Sequence, residues 1–155
     1  MGLNAVVTDI RRFRTIAAEP RAIWDVLADF GAISSWADIV DHSCLLIPAV
    51  DGVAVGTARR VQLGRNTLVE RITEFDPPRA LAYDVDGLPG LLGRITSRWT
   101  VTPSTGGTTV TLTSTVDIGS NPLQRLAERI VARGTAKQLD ALLAGLTRRL
   151  ESTHA

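Results

Sequence analysis

Few residues in this sequence could do proton or charge chemistry inside a fold. The stretch "TLVERITEF" at residues 67–75 holds one of them. In an extended chain, Leu68, Glu70, Ile72 and Glu74 point one way, and Val69, Arg71, Thr73 and Phe75 point the other. Neither side is apolar throughout, so one must place a charge beside a core. A carboxylate there is costly unless paired or hydrogen-bonded, and burial shifts its pKa toward acid/base use. Arg59 and Tyr83 are the groups that could pair with it or share a proton.

Other reactive types are sparse. The histidines are His42 and His154, and Cys44 is the one cysteine. No His-Glu-x-x-His or Cys-x-x-Cys spacing occurs, so no metal is expected. Gly-x-Ser-x-Gly is absent, and Cys44 without a placed histidine reads as a core residue rather than a nucleophile. No glycine-rich phosphate loop follows a strand, and no cofactor is expected. His42 beside Asp41 has the chemistry of a general base, but at a strand end it reads as a solvated side chain.

The 155 residues, 45% hydrophobic and 21% charged, are expected to form one domain over 1–155 with a sizeable core. Seventeen basic residues face sixteen acidic ones, and the arginine pairs 11–12, 59–60 and 148–149 are scattered. That balance predicts no nucleic-acid partner. The first residues lack a basic segment followed by an apolar run, and Val6 weakens a myristoylation reading. No apolar stretch approaches the roughly 20 residues of a membrane span. A cytoplasmic protein without a transmembrane segment is expected; a single cysteine excludes an internal disulfide.

The elements that must position these groups follow from periodicity. Residues 5–17 read as a strand. "EPRAIWDVLADF" reads as a helix, with Pro20 at its first position and Ile23, Val26, Leu27 and Phe30 on one stripe, ended by Gly31. "AISSWADIV" suggests a second short helix. Period-two patterning then predicts strands at 42–48, 55–64, 67–76, 80–86, 93–103 and 107–117, joined by turn sequences in an antiparallel meander. A long helix is expected from Pro122, capped by Asn121, to about residue 152. Its apolar stripe changes phase by roughly 130° near Gly134, which predicts a break there or two halves facing different parts of the body.

A two-residue turn at Arg65-Asn66 would pair Leu63 with Leu68, Val61 with Glu70 and Arg59 with Ile72. Arg59 and Glu70 then share the face of Val61, Leu63, Leu68 and Ile72. The next hairpin pairs Val101 with Val110, Trp99 with Leu112 and Ser97 with Ser114. Its other face collects Thr100, Thr102, Thr109, Thr111 and Thr113 toward solvent. Tyr83, between Leu81 and Val85, points inward. Two readings stay open for the charged pair. Either Arg59 and Glu70 neutralise each other near a sheet edge and stay partly wet, or they and Tyr83 are polar anchors in an apolar pocket.

The order of elements, with "EPRAIWDVLADF…W", "VGTARRV", "VERITEFDPPRALAYDV" and "RWTVTPSTGGTTVTLTSTVD", resembles the START-like helix-grip superfamily. Within it, the similarity is to the polyketide cyclase/dehydrase and lipid-transport type, over about residues 5–150. The resemblance implies an α+β helix-grip fold: a curved antiparallel sheet of about seven strands, two short helices, and a long C-terminal helix across the concave face. It also implies a cavity between sheet and helix for a small hydrophobic or amphipathic molecule, lipid- or polyketide-like. The expected lining is Trp36, Arg59, Val61, Leu63, Glu70, Ile72, Tyr83, Leu88, Ser97, Trp99, Leu112, Ser114, Ile130 and Gly134. "DVDGLPGLLG" resembles a gating loop of such cavities and equally reads as an ordinary strand connection. Fold does not choose among functions. A binding protein is the first reading. A metal-free cyclase or dehydratase using Glu70, Tyr83 or Arg59 is the second. A chaperone-activator-like interaction module, marked by an exposed apolar patch and a filled cavity, is the third.

Overall fold

The computed structural model describes residues 6–87, 94–118 and 122–152. Seven strands form where the period-two pattern runs: β1 (Val6–Ile16), β2 (His42–Ile47), β3 (Ala58–Leu63), β4 (Asn66–Asp76), β5 (Ala80–Asp86), β6 (Ile95–Ser104) and β7 (Gly107–Ile118). They make one sheet in the order β1-β7-β6-β5-β4-β3-β2, and each pair is antiparallel. The segment between β1 and β2 supplies α1 (Pro20–Ala28) and a 3₁₀ helix (Phe30–Ser35). Pro20 occupies the first turn of α1, where its missing N–H costs nothing. Ile23, Trp24 and Leu27 make the buried side of that helix.

The long C-terminal helix, α2 (Pro122–Ser152), packs against β1 and β7 and covers the inner face of the curved sheet. Leu139, Leu143, Leu146 and Leu150 bury one stripe of it in the core. Gly145 allows the close approach: a Cβ there would lie 2.4 Å from the backbone oxygen of Trp36. This is the α+β helix-grip architecture.

Three details differ from expectation. The β3–β4 turn sits at Gly64-Arg65, not Arg65-Asn66, so Leu63 faces Asn66, Val61 faces Leu68 and Arg59 faces Glu70. Gly64, at φ +58°, takes the left-handed first position of the turn without a steric penalty. Moving a two-residue turn by one position moves every partner by two, so the inward face is preserved. Second, β4 carries a bulge between Ile72 and Glu74. The extra residue reverses the alternation, which turns Glu74 outward and sets Phe75 against Trp24, ring centroids 5.2 Å apart. This is why neither side of "TLVERITEF" is apolar throughout.

Third, α2 is one uninterrupted helix through Gly134. A single glycine costs a helix interior about 1 kcal/mol, which packing elsewhere can offset. From residue 129 to 138 every side chain is exposed or half-buried, and full burial begins at Leu139. The phase change therefore falls where α2 passes from partial packing at Val131, Ala132 and Ala136 to full burial, with no break. The expected cap Asn121 lies outside the described residues.

Candidate functional site

Two neighbouring strands and the 3₁₀ helix place the charged pair. Arg59 on β3 stands opposite Glu70 on β4, and its Nε donates to Glu70 Oε1 at 2.7 Å. Nη1 of Arg59 donates to the backbone oxygen of Phe30 at 2.9 Å. The guanidinium carbon lies 3.8 Å from the Phe30 ring centroid and 4.8 Å from that of Tyr83. Arg59 is 3% exposed and Glu70 8%, so the pair is buried rather than partly wet. Cation–π contact and two charge-assisted hydrogen bonds offset the desolvation such a pair incurs.

Tyr83 extends this network along β5. Trp99 Nε1 donates to its hydroxyl oxygen at 3.3 Å, and Ser97, its neighbour on β6, shares a 2.9 Å hydrogen bond with Ser114 on β7. Burial pushes the Tyr83 phenol up to about 12. The nearby Glu70 charge pushes the same way, while Arg59 and hydrogen bonds with Trp99 and Ser97 oppose it. At neutral pH the ionised fraction is on the order of 10⁻⁵. Tyr83 can donate or accept a hydrogen bond there, but it cannot act as a base.

Between this wall and α2 lies a cavity of about 210 Å³. Val61, Leu63, Glu70, Tyr83, Ser97 and Ser114, all expected, line it from the sheet. Arg59, Ile72, Trp99, Leu112 and Trp36 are buried but do not line it; Trp36 lies instead by a groove beside Gly145 and Arg148 of α2. Trp36 packs edge-on against Trp99 at 6.0 Å, and its indole N–H finds no acceptor among the described residues. Two expectations are corrected. Ile130 is 71% exposed, and Gly134 lines a shallow outer groove with Arg12 and Lys137 instead of the cavity. Val131 and Ala132, which lie between them in sequence, pack against the core, which leaves Ile130 and Gly134 on the outer side of α2. Leu88 and the 88–93 part of the expected gate lie outside the described residues.

Sequence reasoning missed other parts of the lining. Ile33, Ile39 and Val40 enter from the segment around the 3₁₀ helix, and Thr135, Gln138, Leu139 and Leu142 from α2. Asn66, Leu68, Val85 and Ile95 complete it from the sheet. Parity put Leu68 and Val85 on the inner face without counting them as lining and could have found Ile95; the helical contributions needed the crossing of α2.

The remaining reactive candidates are elsewhere. His42 is exposed at the start of β2. Cys44 is exposed too, which corrects its reading as a core residue: β2 is an edge strand whose Ser43 and Leu45 side meets the 3₁₀ helix, leaving Cys44 on the other, open side. Along β2 and the following loop, Leu45, Leu46, Ile47, Val50, Val53 and Val55 leave an exposed apolar ribbon. Among the described residues no three His, Cys, Asp or Glu side chains gather as a metal site. No helix among them is long and apolar enough to cross a membrane.

The polyketide cyclase / dehydrase and lipid transport family matches residues 7–151, and the chain belongs to that family. No curated protein matches it significantly. Among solved structures, the Zhui aromatase/cyclase from Streptomyces sp. R1128 is 20% identical, with a TM-score of 0.70 over 93% of this chain and 96% of its own. A START superfamily protein from Mycobacterium smegmatis is 14% identical, with a TM-score of 0.74 over 94% and 98%. The di-domain ARO/CYC BexL from the BE-7585A biosynthetic pathway is 19% identical, with a TM-score of 0.77; 94% of this chain matches 50% of that one. At these identities the likeness is one of fold.

Proposed function

We propose that the chain binds a small hydrophobic or amphipathic molecule, lipid- or polyketide-like, in the cavity between the sheet and α2. The observation that supports this is the cavity's composition: a mainly apolar lining into which Glu70, Tyr83, Ser97 and Ser114 converge from one wall, with Asn66, Thr135 and Gln138 as further polar groups. Its volume sets a scale. A protein cavity of about 150 Å³ holds benzene, and pockets for drug-sized ligands begin near 300 Å³. The ligand, or the part of it held between sheet and helix, is therefore one to two rings or a short acyl chain.

The test is native mass spectrometry of protein purified from its own source, beside a Leu142→Trp variant. Leu142 is half-buried on the cavity wall, so the larger ring fills the space from the helix side. Wild type should carry a non-covalent adduct that the folded variant lacks. An adduct retained in full by the variant would remove the cavity from the reading.

A catalytic reading has one observation in its favour: an ionisable carboxylate, Glu70, on the cavity wall. Tyr83, held protonated, could give up a proton but not take one, and Arg59 does not line the cavity, so Glu70 is the candidate base of the three. Glu70→Gln would then lower turnover of a bound polyketide-like substrate by a factor on the order of 10²–10⁴ while binding persists. The interaction-module reading has half of its signature, the apolar ribbon of β2, but the cavity is not filled.

A further inference from the structure

The buried pair is oriented, and its orientation bears on what the cavity accepts. Arg59 spends Nε on Glu70 and Nη1 on the Phe30 oxygen, and aromatic rings cover the guanidinium. It does not line the cavity; Glu70 does. Of the two carboxylate oxygens, Oε1 takes the Arg59 hydrogen bond, and no described residue donates to the other. A molecule entering the cavity therefore meets the acid of the pair and not the base.

We propose that Glu70 is the specificity-determining residue of this cavity, selecting neutral ligands whose polar end donates a hydrogen bond and rejecting carboxylates such as fatty acids. This rests on the cavity being the binding site. The physical cause is desolvation at close range. A second carboxylate beside Glu70 would put two like charges in one small cavity, and among the described residues no cation lines it to relieve them. A hydroxyl donor gains a charge-assisted hydrogen bond instead. Arg59 is a positioning residue: its bonds to Glu70 and Phe30 fix where the carboxylate sits. The Ser97–Ser114 pair adds hydroxyls on the same wall and carries no charge that would rescue an anion.

The experiment compares three probes of one shape, naphthalene, naphthol and naphthoate, binding to the full chain at pH 7 by calorimetry or intrinsic fluorescence. Wild type should bind naphthol more tightly than naphthalene, and naphthoate roughly a hundredfold more weakly than naphthol. Glu70→Gln should narrow the gap between naphthol and naphthoate to about tenfold or less. If that variant does not fold, Arg59→Met/Glu70→Leu removes both charges together and should lose the preference for naphthol over naphthalene. Naphthoate binding to wild type as tightly as naphthol overturns the proposal and leaves the cavity reading standing. If none of the three binds, the cavity reading fails and the proposal with it.

Discussion

Glu70 and Glu74 stand four residues apart on β4, and each holds an arginine at 2.7 Å. The Arg59–Glu70 side chains are 3% and 10% exposed; those of Arg98–Glu74 are 49% and 40% exposed. Distance alone would rank the two pairs as equals. Their surroundings do not. The outer pair is bidentate, with a second contact at 3.2 Å, yet water screens both partners. In the inner pair the Arg59 guanidinium is covered by Phe30, Tyr83 and the Phe30 backbone oxygen, while Glu70 faces the cavity. One bulged residue between Ile72 and Glu74 creates the difference, because it sends the second glutamate to the other side of the sheet.

Removing one partner separates the pairs most sharply. Glu70→Leu leaves the Arg59 charge buried and uncompensated and should cost about 3–5 kcal/mol in urea denaturation. Arg59→Met/Glu70→Leu should recover most of that loss. If the double variant is no more stable than the single one, the cost is packing and not charge.

The Tyr83 hydroxyl comes next. Tyr83→Phe keeps the ring beside Arg59 but leaves the Trp99 indole N–H without its partner, at about 1–3 kcal/mol. Tyr83 is the one tyrosine in the sequence, so tyrosinate absorbance reports this site alone. Its folded pKa is raised from the ordinary 10.0 to about 12. The matching stability is present in full below pH 10 and is lost as pH rises toward 12. Native protein should titrate near 12, and denatured protein near 10. Native titration near 10 would contradict the buried placement.

The outer pair should matter least. Glu74→Gln is expected to cost about 1 kcal/mol or less, and salt should reduce it further. Its hydrogen bond with Arg98 holds the Glu74 carboxyl below its ordinary value. Whatever stability it supplies is present above that ordinary value and fades as pH falls through the lowered pKa. A loss as large as that of Glu70→Leu would mean that burial does not distinguish the pairs.

The sequence carried the parity of β3 to β7 well, because alternation is a strong signal wherever one face is apolar. It placed Arg59, Glu70, Tyr83, Ser97 and Ser114 on the inner face even though the β3–β4 turn was expected one residue too late. A two-residue change of partner leaves each side chain on its own side. The bulge was not legible, since nothing in "NTLVERITEFD" marks an unpaired residue. Cys44 and Ile130 were misplaced for a shared reason: an apolar residue type does not say how far the neighbouring element extends. β2 is an edge strand, and along α2 Val131, Ala132 and Ala136 pack only partly against the core while full burial begins at Leu139. The helical side of the cavity depended on that crossing.

The most direct test follows both glutamates at once. A carboxyl-carbon NMR titration of the full chain with naphthol should resolve Glu70 and Glu74, assigned by their glutamine variants. With Glu70 on the wall of a binding cavity and Glu74 across the sheet, the Glu70 resonance should move saturably while that of Glu74 stays fixed. If both move alike, or Glu70 stays still while the probe is bound, the site lies elsewhere.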